Sequence, residues 1–216
     1  MTDTRFQRAR SDEAKHQREQ AILTAASALG AERGIRSVTL TDIAARVGMH
    51  KSALLRYFET REQIFLRLTA AGWRDWGSAL RAALQAMTDA SPERLAHEVA
   101  TSLVARPMFC DLLAQAPLNL ERNVSLESVR EFKLVTLEEV DAIGAELARL
   151  RGLSEQQRVD VIATATSMAG ALWQMATPGP EVEALYRSDP RLGHAIVEVG
   201  PRLERVLTAL LTGMRG

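Results

Sequence analysis

The chain has 216 residues, 46% of them hydrophobic and 25% charged, which suits one large or two small domains with a real core and excludes a disordered polymer. A single cysteine, Cys110, excludes an intrachain disulfide framework and any cysteine-based zinc cluster. Lys plus Arg (27) equal Asp plus Glu (27) overall, yet residues 1–76 hold 13 basic against 9 acidic side chains and residues 77–216 hold 14 against 18. That split, +4 and −4, is either chance or a basic contact surface at one end.

Met1 to Arg10 is polar and basic, without the apolar centre of a secretory signal. The longest charge-free stretch, Val161 to Pro180, is interrupted by Thr164, Thr166, Ser167, Gln174 and Pro178, too polar for a membrane span. A cytoplasmic protein is expected.

The periodicity is helical throughout, with apolar residues at three- and four-residue steps, prolines at apparent helix edges and no strand-like alternation. The fold class is all-α. A first helix is expected from Ser11, burying Ile22, Ala25, Ala26 and Leu29 and ending at Gly34 as a left-handed cap. Thr39-Leu40-Thr41-Asp42 is a capping box that opens a short second helix, interrupted by Gly48. A third helix is expected over about His50 to Phe58. Thr60-Arg61-Glu62-Gln63 forms a second capping box and opens a fourth helix carrying Ile64, Phe65 and Leu68. Segments 91–106, 107–115, 126–150, 154–177 and 189–213 read as further helices, with Pro92 and Pro107 in first turns. Asn119–Ser125 reads as a polar connection, and Thr177-Pro178-Gly179-Pro180 as the strongest break.

Two short helices around Gly48 have the layout of a helix-turn-helix. Ala44 is small where the helices cross, Gly48 can take the positive φ of the tight turn, and Ile43, Val47, Met49 and Leu54 supply a private core. An ordinary helix hairpin is the alternative. Ala21 to Leu68, and above all Asp42-Ile43-Ala44, Gly48, Tyr57-Phe58 and Arg61, resemble the amino-terminal domain of the tetracycline-repressor (TetR) family. Ser52 and Leu55 depart from the glycine and tyrosine usual in that family, which leaves Leu55 to touch a thymine methyl or to pack inward. The resemblance implies a helix-turn-helix DNA-binding domain over 1–66, with 1–14 a flexible arm, and an effector-binding and dimerisation domain over 67–216.

A recognition helix presents its amino-terminal half to base edges, which puts His50, Lys51 and Ser52 nearest the bases. Lys51 can donate to guanine O6 and N7, and His50 can donate or accept according to tautomer. Thr39, Thr41 and Tyr57 offer hydroxyls to phosphate, and Arg61 opens the fourth helix, an anion site. The plainer alternatives are that Thr39 only caps, Tyr57 only packs and His50 is merely solvated. Arg5, Arg8, Arg10, Lys15 and Arg18 form either a groove-tracking arm or a solvated tail.

In the second half, small and apolar stripes mark a dimer face or the chain's own core. The resemblance implies that the last two helices of each subunit pair, with Val161, Ala165, Ala169, Ile196, Leu203 and Leu207 as candidates. One recognition helix reads too few bases, so a two-fold dimer on a palindromic operator is expected. Trp73, Trp76, Met108, Phe109, Phe132 and Trp173 either line a cavity for a small apolar effector or form plain core. The resemblance further implies that effector binding favours a dimer whose two heads no longer match their half-sites.

The rival classes are weaker. The single Glu-x-x-His pair, Glu13 and His16, lacks the second pair of a bundle metal site. There is neither a phosphate-binding glycine loop nor a nucleophile elbow. No enzyme, cofactor or metal is expected; a protein-binding helical adaptor remains the alternative to a homodimeric, effector-released repressor.

Overall fold

A computed structural model describes residues 3–88 and 90–214, residues 3–12 by their backbone alone. The described residues form the helices α1 (Asp3–Arg33), α2 (Leu40–Arg46), α3 (Lys51–Leu54), α4 (Arg61–Ala86), α5 (Pro92–Val104), α6 (Pro107–Gln115), α7 (Leu126–Arg151), α8 (Glu155–Ala176), α9 (Pro180–Ser188) and α10 (Val199–Gly213). No strand occurs among them. Short 3-10 turns at Ile35–Ser37, Glu121–Asn123 and Pro190–Ala195 and a π-helical turn at Ala116–Leu120 complete the path.

Helices α1 to α3 and the start of α4 make a head whose interior is Ile22, Ala26, Ile43, Leu54, Ile64 and Phe65, all fully buried. Helix α4 then continues without a break into the body, where α5, α6 and α7 pack against it and α8 and α10 pack against these. The boundary expected after residue 66 therefore falls inside one helix. Burial of one apolar stripe per helix is what holds such a bundle.

Element boundaries differ from expectation where local chemistry was ambiguous. Helix α1 reaches back to Asp3 rather than starting at Ser11. Its basic residues Arg5, Arg8 and Arg10 thus lie on helical backbone, their side chains outside the described residues; residues 1 and 2 of the expected arm are likewise outside them. The Thr60 hydroxyl accepts from the Gln63 N–H, but Gln63 turns its side chain to the Glu59 N–H (2.7 Å), so the second capping box is only half formed. The connection at 119–125 is helical as far as Asn123, in a π turn (Ala116–Leu120) and a 3-10 turn (Glu121–Asn123), and Pro117 has no N–H to continue the α ladder. The break at Thr177–Pro180 releases a further helix, α9, with Pro180 in its first turn and Glu181 and Glu183 near its positive end. The segment expected as one helix over 189–213 is a 3-10 turn followed by α10, and Ile196 lies in the extended link between them.

Trp73, Trp76 and Phe109 pack together in the core. Trp73 meets Trp76 and Phe109 edge-on, with centroids 5.5 and 5.8 Å apart. The buried Trp76 donates its Nε1–H to Ser102 Oγ at 2.9 Å. Likewise Val161, Ala165, Ala169, Leu203 and Leu207 are fully buried within the subunit, where α8 packs on α6 and α10 and α10 packs on α5. This corrects their placement at a dimer interface: a side chain without accessible surface in one subunit has none to offer a second. Of that set Ile196 alone is exposed.

Close packing of α8 on α6 depends on Gly170, where an added Cβ would stand 2.8 Å from the Ala114 backbone nitrogen. At Gly144 in α7 the nearest atoms are side-chain carbons of Arg158 at an ordinary 3.6 Å. Gly170→Ala should therefore cost about 1–3 kcal/mol of stability. Gly144→Ala should be neutral or stabilise by up to about 1 kcal/mol through helix propensity. Urea unfolding of the two variants checks the order, and equal midpoints would contradict this account of the α6–α8 crossing.

Candidate nucleic-acid interface

The head is built on the first capping box. The Thr39 N–H donates to Asp42 Oδ2 at 2.8 Å, and the Asp42 N–H donates back to Thr39 Oγ1 at 3.2 Å. The Arg33 guanidinium stands 2.7 Å from the same carboxylate. The Thr39 hydroxyl, the Thr39 N–H and Arg33 together hold the Asp42 pKa down at about 2. Thr39 thus has a structural task at the start of α2 while remaining exposed. A bidentate pair from Arg46 to Glu32 (2.9 to 3.1 Å) ties the end of α2 back to α1, and this bond lowers the Glu32 pKa.

Gly48 makes the turn at φ +67°, with no atom near the place of a Cβ. The requirement for glycine there is conformational rather than steric crowding. The Met49 N–H reaches Ala44 O at 2.9 Å and closes the turn. His50 then starts α3, its carbonyl accepting from Ala53 (2.9 Å) and Leu54 (3.1 Å) and its ring making no capping bond. The α-helix proper ends at Leu54; a looser turn carries the chain on to Phe58, whose N–H bonds Leu54 O at 3.3 Å.

This geometry sorts the candidate residues. Leu54 and Phe58 are buried and anchor the segment from beneath. Thr41, His50, Lys51, Ser52 and Leu55 are exposed. Leu55, 44% exposed, points outward, which removes the inward-packing alternative. Tyr57 is half-buried and packs against the core. Arg56, also exposed, belongs to the same short segment and was not singled out in the sequence; its position one turn after Ser52 was the available sign.

Arg61 has a different place from the one expected. Its side chain is only 19% exposed. The Nε and Nη2 groups donate to the carbonyls of Val38 and Ile35, Nη1 pairs with Glu62 at 2.9 Å, and the guanidinium lies over Phe65. The group read as a phosphate ligand is instead the clamp that fixes the α1–α2 turn to α4. The turn is held from the other side by Asp111 of α6, whose Oδ2 accepts from the Ile35 N–H (3.1 Å) and whose Oδ1 accepts from Gln174 of α8 (2.8 Å). Glu59 makes a third link: it accepts from the Ser125 N–H (2.8 Å) and the Ser128 hydroxyl (3.0 Å) at the start of α7, and these bonds lower its pKa. These partners are too far apart in sequence to be found from spacing.

The residues expected to share one pocket are dispersed. Trp73 and Trp76 line none of the three clefts that the other candidates line. Phe132 lines a cleft of about 410 Å³ between α4 and α7. Trp173 and Met108 line a wider one of about 720 Å³ between the end of α1 and helices α6 and α8, and Phe109 with Met108 a third of about 350 Å³ beside α4. The aromatic residues were grouped by type, and helical packing points them in different directions. Among the described residues no three His, Cys, Asp or Glu side chains gather to hold a metal. Among the same residues no helix is long and apolar enough to cross a membrane.

A three-helix head with a glycine-hinged pair and an outward-facing helix start defines a helix-turn-helix DNA-binding protein. Residues 22–68 match the model of bacterial regulatory proteins of the tetR family, and residues 70–216 match the tetracyclin repressor-like C-terminal domain. The chain belongs to the TetR family and is a DNA-binding transcriptional regulator. No curated protein matches it in sequence. Among solved structures it is similar to the fatty acid degradation regulator FadR of Bacillus halodurans, at 16% identity over 91% of this chain and 99% of that one, with a TM-score of 0.57. It is also similar to Thermus thermophilus FadR in complex with lauroyl-CoA (21% identity, 92% and 95% covered, TM-score 0.53). A third is Bacillus subtilis FadR in complex with stearoyl-CoA (16% identity, 90% and 97% covered, TM-score 0.54).

The Asp42 carboxyl has a folded-state pKa of about 2 against an ordinary 3.8, so its stabilising contribution is complete above 3.8, shrinks below that and is gone once the pH passes about 2. Asp42→Asn should lower the urea midpoint at neutral pH and flatten its decline across that acid window relative to the parent chain. Parallel declines would assign the acid sensitivity elsewhere. Arg61→Ala should destabilise the chain by about 1–3 kcal/mol, the usual range for lost charged hydrogen bonds. It should leave the salt dependence of DNA binding unchanged; a slope reduced by about one unit would restore Arg61 as a phosphate ligand.

Proposed function

We propose that the protein is a repressor that binds a palindromic operator as a homodimer and is released by a small amphipathic effector. The observation that carries the DNA half of this reading is the exposed row His50, Lys51, Ser52, Leu55 and Arg56 at the outer edge of the head, above the buried anchors Leu54 and Phe58. In the major groove Lys51 would meet guanine O6 and N7, Leu55 a thymine methyl, and Thr41 and Arg56 the flanking phosphates. Thr39 and Tyr57 act through the shape of the head, the first as a cap and the second as a strut. We assign residues up to about 66 to DNA reading and the remainder to effector binding and dimerisation, with no catalytic role and a cytoplasmic location, where the DNA is.

A dimer needs an uncovered face on the last helices. The outer side of α8 offers one in Val159, Ala163, Ala171 and Met175, all exposed and uncharged at helical spacing. These replace the buried candidates, and the exposed Ile196 is retained as a further one. The acyl-CoA complexes of the two FadR proteins support an effector with a long apolar chain and an acidic end.

The test is selection of duplexes from a random pool, followed by binding measurements on the recovered site. Lys51→Ala should lose about 1–3 kcal/mol on that site and discriminate less against substituted guanines. Intact discrimination would remove Lys51 from base reading. Failure of the parent chain to enrich any sequence at low salt would remove the function itself.

A further inference from the structure

The end of the α4–α7 cleft nearest the head is lined by residues that also hold the head. Gln63 and Ser128 both line it, and Gln63 Nε2 donates to Ser128 Oγ at 2.9 Å. The Ser128 hydroxyl donates in turn to Glu59, with Ser125 Oγ 3.0 Å away, and the Glu59 N–H returns to Gln63 Oε1 at 2.7 Å. Glu59 follows directly on Tyr57-Phe58, the end of the DNA-reading segment. A closed ring of hydrogen bonds therefore joins the cleft to the head.

The cleft has the size of a small-molecule site, about 410 Å³. Its walls are apolar: Leu66 and Ala70 on α4, Phe132, Leu134 and Val135 on α7. Its rim is basic on balance. Arg67 and Arg74 stand on one face of α4, two turns apart, and the acid Glu131 is 3.8 Å from Arg67 across an exposed gap. A long pairing of that kind contributes little and yields readily to a better partner. Guanidinium groups match carboxylate and phosphate oxygens in a planar fork.

We propose that this cleft is the receptor for an amphipathic anion, whose chain lies along Phe132 and Leu66 with its charged end at Arg67 and Arg74, and whose entry opens the Gln63–Ser128–Glu59 ring. This rests on the effector-responsive reading above and names its site and its route to the DNA. A chain wedged between α4 and α7 separates the Gln63 and Ser128 side chains, and a hydrogen bond stretched past 3.5 Å is lost. The ligand binds the separated state better, so it draws the head away from its docked position on α7.

Sodium dodecanoate is the probe, titrated calorimetrically into the full chain, with dodecyltrimethylammonium bromide as the cationic control. Dodecanoate should bind and the cation should not. Arg74→Ala should weaken dodecanoate binding about tenfold, and Glu131→Gln, at an exposed position where misfolding is no explanation, should strengthen it about threefold. On the selected duplex, dodecanoate should lower the parent chain's affinity about tenfold or more. Glu59→Ala should already show that lowered affinity and respond to dodecanoate no further. Absence of dodecanoate binding, equal binding of the cation, or indifference to both rim substitutions would overturn the site while leaving DNA regulation standing. A full dodecanoate response in Glu59→Ala would overturn the route. A parent chain that binds no duplex would sink the regulatory reading and this inference with it.

Discussion

Helix α4 runs through both the head and the body, along one continuous hydrophobic core. Its first turns complete the head through Ile64 and Phe65, and its later turns carry Trp73, Trp76, Leu80 and Leu84 into the body. A continuous hydrogen-bonded helix transmits rotation and translation from one end to the other, because it bends only where its ladder is interrupted. The orientation of the DNA-reading segment is therefore set by whatever packs against α4 in the body. Arg61 completes this arrangement by gripping the Ile35 and Val38 carbonyls from the first position of the helix. The Ile35 carbonyl also accepts from the Val38 N–H (3.2 Å), so the grip matters most at the Val38 carbonyl, beside a buried core.

Around this shared element the head is linked to the body by polar contacts of modest individual strength. Asp111 joins α6, α8 and the α1–α2 turn through one carboxylate, and Glu59 joins the end of the reading segment to α7. Hydrogen bonds of this kind contribute on the order of 1 kcal/mol each. A few of them can be exchanged for ligand contacts without disturbing the apolar core, which is the energetic scale that coupling between two sites requires. The continuous apolar core keeps the whole chain folded, and the polar links add to it the contacts that a ligand could exchange.

The helical punctuation was legible in the amino acids themselves. Thr39 and Asp42 announce a capping box and form one; Gly48 announces a positive φ and has one; Ser154 with Gln157 caps α8 in the same way. Such signals involve residues three or four apart, within reach of a single turn. Stripes of apolar residues were equally legible, but a stripe tells only that a face is covered. Val161, Ala165, Leu203 and Leu207 are covered by their own subunit, and nothing in their spacing distinguishes that from cover by a partner. For α9 the difficulty was reversed: the breaker before it was plain, and the short helix it launches has no buried residue to mark it.

Local sequence thus determined the helices of the head, the hinge between α2 and α3, and which residues open the reading segment, because each depends on neighbours along the chain. Only the tertiary structure decided that Arg61 is spent on carbonyls, that Leu55 faces outward, that Trp73 and Trp76 fill a core and that Phe132 and Trp173 wall clefts. Those outcomes depend on residues brought together from dozens of positions apart, and a helix face carries no record of what the rest of the chain will place against it.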